Sequence, residues 1–208
     1  MEEYLQPGKF VNSDHGEVIE FAHSAVGSVT DPKEQIKRLY YVIRDQIVYT
    51  PYVNFMDKNS YSAIGVLQTK RGFCIPKSAL LVACARIVGV PARCGFADVA
   101  NHLTSAKLRA AMGGSNVFYW HSYSDIYLDG KWVKATPAFN KALCDRAGIA
   151  PLEFDGTCDS LFHEYDNAGN QHMEYLNDRG QFADVPFGQI VATLHESYGS
   201  TFFDHFKS

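Results

Sequence analysis

The chain has 208 residues, of which 46% are hydrophobic and 20% are charged, and it carries a formal net charge of −4. This length and composition are typical of a globular protein that can bury a core without disulfides. The acidic balance and the lack of a Lys/Arg-rich run argue against a nucleic-acid partner.

A capped helix is predicted after residue 30. Asp31 is a good N-cap, Pro32 suits the first helical position, and Glu34 has the spacing of a capping box. One face of this helix is apolar at helical spacing, through Ile36, Tyr40, Ile43 and Ile47. Pro51 should end it. Residues 52–73 are predicted to be a loop with a short helical turn from Ala63 to Leu67.

The segment RGFCIPKSALLVACARIVGVPAR, residues 71–93, predicts a buried helix. Pro76 suits its first turn and Gly89 its C-terminal cap. The run from Ala79 to Val88 leaves almost no polar face, and a helix that is apolar nearly all round is buried. Its longest apolar stretch, Ala79 to Ala85, is far too short to cross a membrane.

Strands follow this helix. ARCGFADV is strand-like, and residues 116–140 predict a β-hairpin that turns at Asp129-Gly130 and carries His121 on its first strand. A short helix from Lys141 to Ala147 and a second hairpin within EYDNAGNQHMEY come next. No repeat or linker divides the chain, so we expect one domain over residues 1–208.

The position of Cys74 suits a nucleophile. The first turn of a helix presents free N–H groups and the positive end of the helix dipole, which can lower a thiol pKa to about 3.5–7.5 and can hold an oxyanion. The alternative is that Cys74 is a small buried hydrophobe, as we expect for Cys84 and Cys94. Five cysteines cannot all pair, and MEEYLQPGKF lacks the features of a signal peptide, so reduced thiols and a cytoplasmic location are expected.

A nucleophilic cysteine needs a base, and His121 is the strongest candidate among eight histidines. It lies on a strand rich in aromatic residues, where partial burial and a nearby thiolate would tune its protonation. The alternative is a structural histidine bonded to a backbone carbonyl. Lys77 is expected to be a solvated side chain and Tyr61 to be a packing residue.

Four segments in order resemble the transglutaminase-like superfamily of papain-type cysteine enzymes. They are the end of the first helix, IVYTPY; the stretch SAIGVLQTKRGFC with its Arg-Gly-x-Cys pattern; SALLVACARIVGVPAR; and WHSYSDIYLDGKWVKATP, a histidine followed by an aromatic strand, a turn and a tryptophan. The resemblance covers residues 32–140, and residues 141–208 would be a β-rich C-terminal elaboration.

The resemblance implies an α+β fold in which the cysteine helix packs on an antiparallel sheet, and a Cys-His-Asp triad. Cys74 would attack a carbonyl and His121 would move the proton. Where the family has Asp before a proline, this chain has Thr136. Thr136 is the first candidate to orient His121 and Asn140 is the second, with Asp155 as a more distant alternative; neutralising the orienting Asp of a serine protease costs about 10⁴ in kcat.

The expected function is thiol-dependent acyl transfer, most simply hydrolysis of a peptide or protein amide substrate. The rival hypothesis is a binding or scaffolding module whose triad has degraded at Thr136. No cofactor is expected, because no phosphate-binding loop is present, and no metal, because His163, His172 and Cys158 lack a metal-binding spacing. Neither the oligomeric state nor the substrate follows from the sequence.

Overall fold

A computed structural model describes residues 1–206 of the chain. Two short 3₁₀ turns aside, the helices are α1 (Gly16–Val26), α2 (Pro32–Gln46), α3 (Ala63–Thr69), α4 (Cys74–Ile87), α5 (Ala106–Ala111), α6 (Lys141–Ala147), α7 (Phe187–Tyr198) and α8 (Thr201–Asp204). The strands are β1 (Val48–Tyr49), β2 (Arg71–Gly72), β3 (Ala92–Asn101), β4 (Val117–Leu128), β5 (Lys131–Ala135) and β6 (Met173–Phe182). None of the helices formed by residues 1–206 is both long and apolar enough to span a bilayer.

The main sheet is antiparallel, with strand order β5-β4-β3-β6. Strands β4 and β5 form the predicted hairpin, in which Ser124 pairs with Ala135, and Asp129 and Gly130 in the turn have φ of 49° and 81°. Such positive φ angles at both central residues match the right-handed twist of the strands. Strand β6, which the sequence analysis missed, pairs with β3. A separate parallel pair, β1 and β2, precedes α4.

Helix α4 lies at the centre of the molecule, as its apolar sequence predicts. Cys74 to Arg86 are all buried, and the helix contacts the strands β3 and β4 and the helices α1, α2 and α3. On the sheet side, the Ser78 hydroxyl donates to the carbonyl of Ser122 at 3.2 Å, and the Ser124 hydroxyl donates to the carbonyl of Ser78 at 3.0 Å. These bonds fix the register of α4 against β4.

The predicted helix before it is also confirmed. The Asp31 carboxylate accepts a hydrogen bond from the Glu34 N–H at 2.9 Å, and Pro32 occupies the first turn of α2. The prediction that Lys77 is a solvated side chain is wrong, because this side chain is fully buried. Its ammonium donates to the carbonyls of Ile47 at 2.6 Å and Arg44 at 2.9 Å, so it ties α4 to the end of α2.

The C-terminal part is more helical than the expected β-rich elaboration. After α6 it contains one strand of the sheet, β6, and then α7 and α8. The hairpin predicted within EYDNAGNQHMEY is present as the Tyr165–Gln171 bridge around a turn at Asp166–Asn170. Helices α7 and α8 add Ile190, Leu194 and Phe203 to the same hydrophobic cluster that contains α4.

Candidate active site

Cys74 and His121 line one cavity of about 60 Å³. Cys74 is the first residue of α4, so its position is set by a helix that is packed on every side. Cys74 is 7% exposed and His121 is 8% exposed, which leaves both side chains nearly enclosed but reachable from the cavity. The structure therefore brings together the two residues that the sequence predicted as nucleophile and base.

A β-bulge precedes His121. Ala97 of β3 pairs with His121 and Val99 pairs with Phe118, so two residues of β4 lie opposite one residue of β3. Trp120, in the bulge, has φ of 61°, a conformation that bulky residues rarely adopt. The Asp98 carboxylate accepts the Trp120 N–H at 3.1 Å and also a hydrogen bond from Arg179. Bulges bend a strand and re-aim its side chains, and this one bends β4 immediately before the imidazole.

Burial dominates the protonation of both groups. Burial raises the pKa of the Cys74 thiol to about 11, although the backbone N–H groups of Ser122, Ile75 and Cys74 itself favour the thiolate. Burial lowers the pKa of the His121 imidazole to about 4. At neutral pH the resting site is thus a neutral thiol beside a neutral imidazole. The predicted low thiol pKa is wrong, because desolvation outweighs the N–H groups at the helix start.

Thr136 directly follows β5, the strand that pairs with β4, and β4 carries His121. Its side chain is buried, its N–H donates to the Ser160 carbonyl at 2.9 Å, and its carbonyl accepts the Tyr40 hydroxyl at 3.2 Å. Its own hydroxyl oxygen has no hydrogen-bond partner, and the same is true of His121 Nε2. Thr136 therefore places a free polar group beside β4 at the position where the family has a carboxylate.

Asn140 lies just before α6 and is also buried. Its side-chain oxygen accepts the N–H of Tyr49 at 3.1 Å, which ties α6 to the strand β1 that borders the cavity. This bond occupies one of the two lone pairs of the Asn140 side-chain oxygen. Asp155 is exposed, and its carboxylate accepts the Thr157 N–H and hydroxyl in a local turn.

Two more buried histidines lie beside the predicted site. The rings of His163 and His172 are 5.6 Å apart, and His163 stacks on Phe139 at 5.3 Å. Phe139 in turn makes an edge contact with Tyr49, which lines the cavity. Both histidines carry a buried ring nitrogen without a partner, Nε2 of His163 and Nδ1 of His172. Among residues 1–206, no group of three or more His, Cys, Asp or Glu side chains is arranged to hold a metal ion.

Apolar side chains form most of the cavity wall. The described lining residues include no Asp, Glu, Lys or Arg. The apolar lining comes from the segment after β1, from α5 and the residue after it, from the start of β4 and from the C-terminal helices. It includes Pro51, Phe55, Leu108, Met112, Phe118, Tyr119, Ile190, Leu194, Tyr198 and Phe202. A larger groove of about 660 Å³ adjoins the cavity and shares Tyr49, Pro51, Leu108 and Phe118 with it.

The architecture is that of an α+β protein in which a cysteine at the start of a buried helix shares a cavity with a histidine on an antiparallel sheet. The sequence profile of the Transglutaminase-like superfamily matches residues 19–137, which is more than half of the chain. The chain belongs to the Transglutaminase-like superfamily, as its sequence resemblance indicated. The match includes Cys74, His121 and Thr136, and it ends before Asn140.

Two solved structures are similar in fold. A "putative cysteine protease" from Cytophaga hutchinsonii is 13% identical, with a TM-score of 0.47, over 86% of this chain and 53% of that protein. A "putative protease" from Parabacteroides distasonis ATCC 8503 is 18% identical, with a TM-score of 0.44, over 61% of this chain and 24% of that protein. The chain spans about half or less of the length of these proteins. No curated protein matches the sequence.

The sequence analysis missed three features of this site. The bulge at Trp120 gives no local signal, because Trp favours strands and not left-handed backbone. The cover formed by α7 and α8 depends on contacts between distant segments. His163 and His172 were considered only as possible metal ligands, and the structure places them next to Phe139 beside the candidate site.

Proposed function

We propose that this protein is a cysteine-dependent acyl-transfer enzyme, with hydrolysis of an amide bond as the reaction. The observation that carries the proposal is the shared cavity of Cys74 and His121, formed by elements that come from separate parts of the chain. Packing around α4 and the bulge in β4 hold both side chains in place. Such fixed placement is the main requirement for a thiol and its base to act together.

In the proposed reaction, the sulfur of Cys74 attacks the carbonyl carbon while the neutral imidazole of His121 takes the thiol proton. The N–H groups at the start of α4 are the donors available to the resulting oxyanion. When the tetrahedral intermediate collapses, the C–N bond breaks and the imidazolium gives its proton to the leaving amine, which leaves a thioester on Cys74. His121 then deprotonates a water molecule that attacks the thioester, and the carboxylic acid and the free thiol are released.

The resting neutral pair shapes this mechanism. An imidazole with a pKa near 4 is a weak base, and a thiol with a pKa near 11 is a weak acid. Proton transfer is therefore expected to accompany attack rather than precede it. Thr136 is the proposed orienting group, because it follows the strand next to that of His121 and its buried hydroxyl is not engaged by another residue; the two side chains are not hydrogen-bonded in the resting structure. Asn140 is the second candidate.

The cavity favours a small apolar group on the acyl side of the bond. A volume of about 60 Å³ has room for a short side chain, and the absence of charged residues among its described lining disfavours an acidic or basic one. The adjoining groove is large enough for several residues of an extended peptide. We therefore propose a peptide or protein amide substrate with a small apolar residue at the cleaved position.

An acyl-ester series tests the proposal. Incubation with p-nitrophenyl acetate, butyrate and decanoate should add the acyl group to Cys74, detected by peptide mass spectrometry, with release of p-nitrophenolate. Butyrate should react faster than decanoate, because the cavity is short. The exposed Cys158 reports the unassisted reaction of a thiol in the same sample.

The controls are Cys74→Ala, which should abolish the modification at that position, and His121→Ala. A general base is worth about 10²–10⁴ in rate, so His121→Ala should slow acylation by at least about 100-fold. Acylation at Cys158 should not change. If His121→Ala acylates Cys74 as fast as the unmodified protein does, the pair does not act as nucleophile and base.

A second candidate function is a non-catalytic binding module on the same fold. The raised pKa of Cys74 and the Thr136 substitution favour it. The ester experiment separates the two functions, because a binding module would acylate Cys74 no faster than Cys158 at neutral pH. The apolar groove would then be the binding surface, and substitution of Cys74 would leave binding of a groove-filling peptide unchanged.

A further inference from the structure

The groove that adjoins the cavity combines exposed apolar side chains with a single Arg. Tyr52 and Leu103 line this groove, and they are 46% and 45% exposed. Large apolar side chains that stay in water on a concave surface are typical of a binding site. Arg71 is the only Asp, Glu, Lys or Arg among the described lining residues of the groove. The groove therefore offers apolar contact together with one fixed type of charge.

The guanidinium of Arg71 is free, although the backbone beneath it is held in place. Strand β2 pairs with β1, and the Thr69 hydroxyl donates to the Arg71 carbonyl at 3.0 Å. A Cβ atom on Gly72 would lie 2.7 Å from a Val66 methyl, so the chain next to Arg71 is closely packed. The exposed Arg71 side chain makes no ion pair or side-chain hydrogen bond with any of residues 1–206, and Asp57, which lines a depression on its other side, is not paired with it.

A second free cation borders the same groove. The ammonium of Lys107, on α5, lies 5.0 Å from the ring centroid of Tyr52, and within residues 1–206 no carboxylate pairs with it. The chain has 23 Asp and Glu residues against 19 Lys and Arg, yet none of the acidic residues is in the described lining of the groove or the cavity. A cleft bordered by charge of one sign attracts ligands of the opposite sign. The groove is thus a positive site on an acidic protein.

We propose that Arg71 is a specificity-determining residue that binds an acidic side chain of a peptide substrate in the groove. This inference rests on the proposed function and adds a second substrate determinant to the small apolar residue in the cavity. A guanidinium can donate two parallel hydrogen bonds to one carboxylate. Arg71 is three residues before Cys74, so their Cα atoms are at most about 11 Å apart. An extended peptide rises about 3.3 Å per residue, which places the acidic residue within about four positions of the cleaved bond.

The first test measures binding and does not depend on activity. Short peptides of Ala and Gly, acetylated, amidated and carrying an uncharged dye, contain one Glu at each position in turn, and a matched set contains Gln. Fluorescence anisotropy measures their binding to the full-length Cys74→Ala protein. The best Glu peptide should bind about three- to tenfold more tightly than its Gln match, because the pair is two-pronged but exposed. High salt should reduce this preference, because it screens exposed charges.

Variants in the Cys74→Ala protein assign the preference to one side chain. Arg71→Gln should abolish it, and Arg71→Glu should make Lys peptides bind more tightly than Gln peptides. The matched control is Lys70→Gln, which removes the same charge one position earlier; the Lys70 ammonium lies 5.5 Å from the centroid of the Phe21 ring, and Lys70 does not line the groove. This control should keep the preference for Glu.

The inference is wrong if no peptide binds, if Glu peptides bind no more tightly than Gln peptides, or if Lys70→Gln loses the preference as fully as Arg71→Gln. Cleavage of the best Glu peptide by the unmodified protein is scored separately by mass spectrometry. If that peptide binds selectively but is not cleaved, and p-nitrophenyl butyrate does not acylate Cys74, the proposed function fails while the role of Arg71 in binding stands. If Cys74 is acylated but the Glu preference is absent, the proposed function stands and the role of Arg71 fails.

Discussion

The raised pKa of Cys74 makes a quantitative prediction about its reactivity toward a small thiol reagent. Methyl methanethiosulfonate is neutral and small enough to enter the cavity. At pH 7 a thiol with a pKa of about 11 has about 300-fold less thiolate than a free cysteine with a pKa of about 8.5. The nucleophilicity of a thiolate rises with its pKa, with a slope of about 0.4–0.5, which restores about 10- to 20-fold. Cys74 should therefore react about 15- to 30-fold more slowly than N-acetylcysteine, and its 7% exposure slows it further.

The assay is peptide mass spectrometry of the modified protein at a series of pH values between 6 and 10. The rate at Cys74 should rise about tenfold for each pH unit over this range, because the thiolate fraction does so below the pKa. The titration is read on His121→Ala, because that variant has no imidazole to take the thiol proton during attack and its rate therefore follows the thiolate fraction alone. A rate that is flat between pH 6 and pH 8 and exceeds that of N-acetylcysteine would show a thiolate at rest, and would refute the dominance of burial over the helix N–H groups.

Three further predictions concern the residues that hold the site. Burial lowers the pKa of Lys77 to about 7. Between pH 7 and about 10.5 the unfolded chain therefore binds more protons than the folded chain, and the free energy of unfolding should rise with pH by on the order of 4 kcal/mol across this window. Urea titrations at several pH values measure this rise, and Lys77→Met should remove it. Asp98→Ala leaves the buried N–H of Trp120 without an acceptor, so it should lower the free energy of unfolding by about 1–3 kcal/mol and slow acylation of Cys74, while Asp98→Asn should do less. The Tyr198 hydroxyl donates to a β4 carbonyl at 2.6 Å and accepts a β4 N–H at 3.2 Å. Tyr198→Phe removes both bonds, so it should lower the free energy of unfolding by about 1–2 kcal/mol and, by loosening α7, speed the reaction of Cys74 with methyl methanethiosulfonate. An unchanged rate would mean that α7 does not limit access to the cavity.

Local chemistry was enough to predict the elements that carry the candidate site. The cap at Asp31, the all-apolar face of α4 and the Asp129-Gly130 turn are short-range signals, because each depends on residues within one turn or one hairpin. The four segments that match the family pattern in order were enough to identify the superfamily. The presence of Thr136 where the family pattern has an acidic residue was visible for the same reason, since it occupies a fixed position after a strand and before a proline.

Protonation at the candidate site could not be predicted in this way. The sequence shows that Cys74 begins a helix, which favours the thiolate, but not how deeply the sulfur is buried, which opposes it. Lys77 shows the same difficulty, because a lysine in a first helical turn is usually solvated, and only the packing of α4 against the end of α2 buries it. Desolvation depends on all the atoms around a group, and most of those atoms come from distant parts of the chain.

The sequence by itself therefore determined helices α2 and α4, the hairpin of β4 and β5, the superfamily, and the identity of the thiol and imidazole that share a cavity. Only the tertiary structure decided that both groups are neutral at rest, that a bulge at Trp120 bends β4 before His121, and that the segment with His163 runs beside Thr136. The physical reason is one of range. Secondary structure follows from contacts between near neighbours in sequence, whereas burial, strand bulges and buried hydrogen-bond networks arise when segments separated by tens of residues pack together.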